Sequence, residues 1–99
     1  MQQRPRQTRA QIQLDCVLTR SKGSPITCHT IDLGPGGMCV ETDRPLGVDE
    51  VLHFDLPFRG GTVDGDARVL REQGHHVYAL RFEAMRDASA LALRSLGAG

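Results

Sequence analysis

The residues best suited to binding a ligand lie in a glycine-rich turn, Asp-Leu-Gly-Pro-Gly-Gly at residues 32–37. Glycine lets another molecule approach the backbone closely, and successive backbone N–H groups in such a turn can form a concavity that favours anions. A carboxylate at Asp32 can accept hydrogen bonds from the edge of a base. Together these features suit a ligand that carries both phosphates and a purine. A tight hairpin turn without a ligand is the alternative interpretation.

Three arginines near the N-terminus could supply positive charge to the same ligand. Arg4, Arg6 and Arg9 lie in a polar segment without periodicity, which predicts a flexible basic arm at residues 1–9. A guanidinium group binds phosphate and the O6/N7 edge of guanine through paired hydrogen bonds, and it stacks on purine faces. A solvated tail has the same composition, so the arm alone does not distinguish the two interpretations.

Other kinds of site have weaker support in the sequence. Of the four histidines, only His75 and His76 are close in sequence, and adjacent strand residues point to opposite faces. Since zinc sites usually need close ligand pairs, we expect no metal site. Asp64 and Asp66 share a charged strand face that predicts exposure to solvent, and no nucleophile motif accompanies them. We therefore expect no catalytic residue and no enzymatic activity.

The composition is typical of one small soluble domain. The chain has 99 residues, of which 39% are hydrophobic and 24% are charged. No apolar run approaches the roughly 18–20 residues of a membrane span, and the N-terminus lacks the apolar segment of a secretory signal. These features predict a cytoplasmic protein with no membrane span. The three cysteines lie in apolar-patterned segments, which predicts buried, reduced thiols.

The net charge is zero, but the charges are unevenly distributed. Residues 1–22 contain five basic side chains and one acidic side chain, whereas residues 41–66 contain seven acidic and two basic side chains. A basic arm on a neutral body suits an anionic ligand. The acidic middle argues against an extended phosphate track, so we expect no nucleic-acid partner.

Six segments alternate apolar and polar residues as half-buried strands do, and turn residues separate them. Pro57 is expected to end the fourth strand, and the glycine-rich turn connects the second strand to the third. Short strands without βαβ alternation predict an all-β fold, either a small antiparallel barrel or a sandwich. The predicted strands are residues 12–18, 26–31, 38–42, 51–56, 63–71 and 77–82.

Only the C-terminal segment changes period. Asp87 is a potential N-cap for a short helix at about residues 87–96, and Gly97 is its expected end. A helix of about ten residues is unstable alone in water, so it should pack on the sheet and complete a single domain at residues 10–97. The residues expected at this contact are Leu93 and Leu96, or alternatively Leu91 and Ser95.

The order of these elements resembles the PilZ domain family. The resemblance extends from about Arg4 to Leu96 and rests on the basic arm, the six strands, the glycine-rich turn and the short C-terminal helix. It includes residues 45–47 before the fourth strand and residues 65–71 and 78–82 in the last two strands. The family implies a small six-stranded antiparallel β-barrel that often serves as a receptor for the bacterial second messenger cyclic di-GMP.

The ligand-binding signature of the family has two parts, and both are incomplete in this chain. The first part, RxxxR, ends at Arg9, but its opening position falls on Pro5. The second part, [D/N]xSxxG, matches Asp32 and Gly37, whereas Gly34 stands where serine is expected. The missing hydroxyl removes one hydrogen bond, about 1 kcal/mol or five- to tenfold in affinity. With the arginines that flank Pro5, the candidate ligand-binding residues are Arg4, Arg6, Arg9, Asp32, Gly34 and Gly37.

Two functions follow from the resemblance. The first is a stand-alone receptor or adaptor whose arm closes over cyclic di-GMP at the turn and transmits this change to a protein partner. The second is a PilZ-like protein-interaction adaptor that does not bind cyclic di-GMP. The family implies an output such as motility, pili or biofilm. We expect a monomer or weak dimer, and no cofactor besides the candidate ligand.

Overall fold

The computed structural model describes residues 10–95, which form a closed barrel of six antiparallel strands followed by one helix. The order of strands around the barrel is β1-β2-β3-β6-β5-β4. This confirms the barrel, one of the two folds that the strand pattern allowed. The elements are β1 Asp15–Thr19, β2 Ile26–Leu33, β3 Gly37–Thr42, β4 Val51–Phe58, β5 Gly61–Gly74, β6 Val77–Met85 and α1 Asp87–Arg94.

Alternate side chains of each strand fill the interior of the barrel. In β4, for example, Leu52, Phe54 and Leu56 are buried, and the residues between them are accessible to solvent. The Phe54 ring stacks on Phe82 with 4.9 Å between centroids. Because successive side chains of a strand point to opposite faces, the same pattern leaves polar and charged groups on the outer surface. Any ligand site must be built from these outer groups and from the connecting turns.

The chain before β1 lies beside β2, but its hydrogen bonds are not those of a regular ladder. The Leu14 N–H donates to Thr30 Oγ1 at 2.9 Å, and the Thr30 hydroxyl donates to the Ile12 carbonyl at 2.5 Å. The pairing of β2 with β3 is also irregular, with a register shift between Thr30 and Asp32. The prediction that the first strand begins at residue 12 was therefore wrong. The Thr30 side chain makes two of the hydrogen bonds that backbone groups would make in a regular ladder.

Pro57 lies within β4 and does not end it. It stands opposite Thr62, next to the pair Phe58–Gly61 that closes the hairpin. In such a hairpin the second pair is not hydrogen-bonded, so the proline nitrogen points away from β5. On that side β1 pairs with β4 only at residues 53–55. The expected strand end at Pro57 was wrong because no ladder hydrogen bond is lost there.

Helix α1 packs on β5, and its Leu93 belongs to the hydrophobic core. Its N-cap is Arg86, which has no side-chain capping bond, so the expected cap at Asp87 was wrong. Asp87 instead lies in the first turn, where a carboxylate interacts favourably with the helix dipole. Leu93 is fully buried and Leu91 is 62% exposed, which confirms the predicted contact through Leu93. Leu96 lies outside the described residues.

The cysteines are buried thiols, as predicted. Cys16 and Cys28 face each other across β1 and β2, and the Cys28 thiol donates to the Cys16 carbonyl at 3.4 Å. A hydrogen bond with the Cys28 thiol, together with burial, raises the pKa of Cys16 well above its ordinary value. Within residues 10–95, no helix has the length and apolar character needed to cross a membrane.

Candidate functional site

The glycine-rich turn is a tight connection that is bonded to a third strand. The Gly34 N–H donates to the Gly37 carbonyl at 3.0 Å, and the Phe82 N–H of β6 donates to the Gly36 carbonyl at 3.0 Å. In the described chain the glycines with φ in the left-handed region are Gly23 and Gly60, which lie in other turns. The turn therefore does not need its glycines for a left-handed backbone.

Gly37 is required by the close approach of β3 and β6. A Cβ at this position would lie 2.2 Å from the Leu80 carbonyl oxygen and 3.3 Å from the Arg81 Cα. These neighbours are backbone atoms of a closed barrel, which cannot move aside as the end of a flexible side chain can. The glycine that the motif associates with ligand approach thus has a structural role that is independent of any ligand.

A surface cavity of about 320 Å³ lies beside the turn, between β3, β5 and β6. Asp32, Arg71, Gln73 and Arg81 provide its polar side chains. Asp32 is half-buried at the end of β2, whereas the two arginines are exposed. A carboxylate near two guanidinium groups suits a ligand that has both a hydrogen-bond-donating edge and anionic groups.

Arg81 is oriented by a carboxylate on its own strand. Its Nη2 donates to Glu83 Oε2 at 2.7 Å, and Arg68 Nη2 donates to Glu83 Oε1 at 3.2 Å. These hydrogen bonds, first from Arg68 and then from Arg81, lower the pKa of the Glu83 carboxyl. The bonds are accessible to solvent and therefore weak. An anionic ligand in the cavity can compete with Glu83 for Arg81.

The chain that follows the predicted basic arm is attached beside the turn. The Ala10 N–H donates to the Leu33 carbonyl at 2.8 Å, and the Leu33 N–H donates to the Ala10 carbonyl at 2.9 Å. Ala10, the first residue that the structure describes, therefore lies next to the end of β2, opposite the residue that follows Asp32. The predicted site residues that lie outside the described part are Arg4, Arg6 and Arg9.

The structure brings the other predicted site residues to the edge of the cavity or close to it. Asp32 and Gly37 line the cavity, and Gly34 is buried within the turn that borders it. Three further polar lining residues, which belong to β5 and β6, were missed. The alternation marks Arg81 as exposed, but it would place Arg71 on the inner face with Val69. A register shift between Val69 and Arg71 turns Arg71 outward, and the strand order β3-β6-β5 brings both arginines to the turn. These missed residues are Arg71, Gln73 and Arg81.

Comparison with known proteins is consistent with this architecture. The crystal structure of the PilZ domain of CeSA from a cellulose-synthesizing bacterium aligns with a TM-score of 0.70 and 18% identity, over 90% of this chain and 93% of that chain. The Bacillus subtilis inhibitor of motility, MotI/DgrA, aligns with a TM-score of 0.75 and 18% identity, over 95% of this chain and 49% of that chain. At such identities the similarity shows the fold alone.

The comparison with curated proteins found no match. A family model described as the PilZ domain matches residues 3–97, which is nearly the whole chain. The six strands of this chain form a closed barrel, with the glycine-rich turn between β2 and β3. On this evidence, the chain belongs to the PilZ domain family.

Proposed function

We propose that this protein is a cyclic di-GMP receptor that holds its ligand in the cavity beside the glycine-rich turn. The observation that carries the proposal is the pair of hydrogen bonds between Ala10 and Leu33. They attach the chain beside the cavity at the point where the arginine-containing arm begins. A carboxylate and two exposed guanidinium groups thus lie beside the point where the described chain begins, and the three arginines that precede it in the sequence are proposed to contact the same ligand.

Each polar group has a defined role in this proposal. Asp32 accepts hydrogen bonds from the N1–H and the exocyclic amine of a guanine base. Arg71 and Arg81 bind phosphate oxygens or stack on a guanine face, and Arg9 adds a third guanidinium from the arm. Each charge-assisted hydrogen bond contributes about 1.5–3 kcal/mol, compared with about 1 kcal/mol for the hydroxyl that Gly34 lacks. The arginines therefore offset the incomplete motif.

Ligand binding would act on a protein partner through the arm. An arm that closes over the cavity buries the ligand and changes the surface beside β2 and β3. PilZ domains are receptor and adaptor domains, which is consistent with such a role. The proposed place of action is the cytoplasm, and the proposed output is motility, pili or biofilm formation.

Calorimetric titration of the full chain with cyclic di-GMP tests the proposal. We expect binding, and we expect Asp32→Ala and Arg71→Ala to weaken it about 10- to 100-fold, the loss of one charge-assisted hydrogen bond. Arg94→Ala is the matched control, because this exposed arginine at the end of α1 does not line the cavity. Cyclic di-AMP is the control ligand, because adenine lacks the N1–H group from which Asp32 would accept a hydrogen bond. Absence of binding at about 100 µM cyclic di-GMP would contradict the proposal.

A protein-interaction adaptor without ligand is the second candidate, and Gly37 is the observation that favours it. Since β6 packing requires this glycine, part of the motif would persist in a chain that no longer binds cyclic di-GMP. In that case the exposed face of α1, which carries Leu91, is the proposed contact surface. Its test compares Leu91→Asp with Asp32→Ala in cells. Loss of the regulated output only in Leu91→Asp supports the adaptor, whereas loss only in Asp32→Ala excludes it.

A further inference from the structure

Four polar side chains form a compact group on the outer surface of β4 and β5, away from the cyclic di-GMP cavity. In the pairing of these strands, His53 stands opposite Asp66 and Asp55 stands opposite Asp64. His53 and Asp55 alternate with buried residues of β4, so both point outward. Cross-strand partners share a face, and the four side chains therefore project from the same side of the barrel.

Three of these side chains each direct one potential ligand atom toward the other two. His53 Nε2 lies 3.7 Å from Asp55 Oδ1 and 3.9 Å from Asp64 Oδ2, and one ligand atom from each of the three lies within 4.8 Å of the others. Tetrahedral ligands at about 2.1 Å from a zinc ion are about 3.4 Å apart. Small rotations of accessible side chains close this difference, because the strands already hold the backbone in place.

In His53 and Asp64, the polar atom that does not face the other ligands already has a hydrogen-bond partner. Asp66 Oδ1 lies 3.3 Å from His53 Nδ1, so a hydrogen bond there leaves Nε2 as the ligand atom. Arg86 Nη2 donates to Asp64 Oδ1 at 2.5 Å, which leaves Oδ2 directed toward His53. In zinc proteins the metal-binding histidine usually donates its other N–H to a carboxylate in this way, and ligating carboxylates are themselves hydrogen-bonded.

The charge of the group also favours a divalent cation. Asp55 and Asp64 are directly opposite each other, and like charges in that position destabilise a sheet. With a neutral imidazole, three carboxylates and the Arg86 guanidinium have a net charge of −2. A divalent ion neutralises this charge and removes the repulsion between the two carboxylates. An imidazole with carboxylates is a donor set typical of zinc and related transition metals, whereas calcium and magnesium prefer oxygen alone.

We propose that His53, Asp55 and Asp64 bind a divalent transition-metal ion such as Zn²⁺, while Asp66 and Arg86 orient the ligands. The expectation of no metal site rested on histidines that are neighbours along the chain. The register of β4 with β5, not sequence proximity, brings these ligands together. None of these residues lines the cyclic di-GMP cavity, so the inference does not depend on the proposed function.

Calorimetric titration of the full chain with Zn²⁺ tests the site. All variants carry His75→Gln and His76→Gln, because these stacked turn histidines are another pair that could bind the ion. In this background we expect binding of one ion. His53→Gln should weaken it at least tenfold, and Asp66→Ala, which removes the orienting carboxylate, should weaken it about tenfold.

The matched control is His29→Gln, which removes another accessible strand histidine that lies 3.0 Å from a carboxylate, that of Glu41. It should leave zinc affinity unchanged within about twofold. Equal effects of His29→Gln and His53→Gln would overturn the proposal, as would absence of binding below about 1 mM Zn²⁺. Circular dichroism verifies that each variant is folded.

A second measurement uses no substitution in the site, so it remains decisive if His53→Gln fails to fold. Co²⁺ accepts the same ligands as zinc and is paramagnetic. It should therefore broaden or shift the amide resonances of residues 53–55 and 64–66 first. Effects that begin elsewhere in the chain would contradict the assignment.

Discussion

Substitution of Gly37 by alanine tests the structural role of the turn most directly. The added Cβ would lie 2.2 Å from the Leu80 carbonyl oxygen, whereas real Cβ atoms essentially never come closer than 3.0 Å to such an atom. The backbones of β3 and β6 must therefore separate by about 0.8 Å at this point, since a densely packed barrel has no space to absorb the overlap. The pairs affected first are Gly37–Arg81 and Met38–Leu80.

The magnitude follows from the contacts that this separation weakens. About two ladder hydrogen bonds are strained, each with a net value of about 1 kcal/mol. Met38 and Leu80 are 1% and 2% exposed, and their packing is loosened as well; overpacked sites typically cost about 1–3 kcal/mol. We expect the free energy of unfolding to decrease by about 3 kcal/mol. For a domain of this size, that decrease lowers Tm by about 12–24 °C.

Urea and thermal unfolding followed by circular dichroism measure this change. Gly61→Ala is the matched control, because its Cβ would meet only the Phe58 carbonyl oxygen at 3.9 Å, an ordinary contact distance. We expect it to change stability by less than about 0.5 kcal/mol. A Gly37→Ala protein within about 1 kcal/mol of the unsubstituted chain would refute the argument that β6 requires glycine at this position.

Three further predictions concern the helix, an ion pair and a thiol. Leu93→Ala should lower the free energy of unfolding by about 2–4 kcal/mol because Leu93 is fully buried, whereas the exposed Leu91→Ala should change it by less than about 0.5 kcal/mol in the same urea titration. A hydrogen bond from Arg20 lowers the pKa of Glu50, so this carboxylate stabilises the fold above its unfolded pKa of about 4.3 and loses that effect as the pH falls through its lower folded pKa. Glu50→Gln should therefore cost about 1 kcal/mol at neutral pH and almost nothing near pH 2; equal losses in melts at both pH values would contradict this ion pair. Because the pKa of Cys16 is raised, its thiol should resist alkylation in the folded protein and react on unfolding, and rapid labelling of Cys16 in the native state, detected by mass spectrometry, would contradict its burial.

Part of the candidate site was predictable because its signals are local. The glycine-rich turn was recognised from a short motif, and the structure places Asp32 and Gly37 at the cavity. Arg81 was not recognised, although the alternation of β6 marks it as outward-facing. Arg71 was not recognised because the alternation of β5 places it on the same face as the buried Val69, and a register shift between these residues reverses that face. Both strands reach the turn only because β6 inserts between β3 and β5 in the barrel. A single sequence contains no local signal for that order.

The sequence by itself determined the six strands, the turn between β2 and β3, and the short C-terminal helix, since side-chain periodicity and turn chemistry act over a few residues. Only the tertiary structure decided which outer side chains share a surface. His53 meets Asp64 because β4 and β5 pair in one register, and a shift of one residue would turn one partner to the opposite face. Likewise the need for glycine at position 37 comes from the Leu80 carbonyl on a strand distant in sequence, which the closed barrel brings against β3.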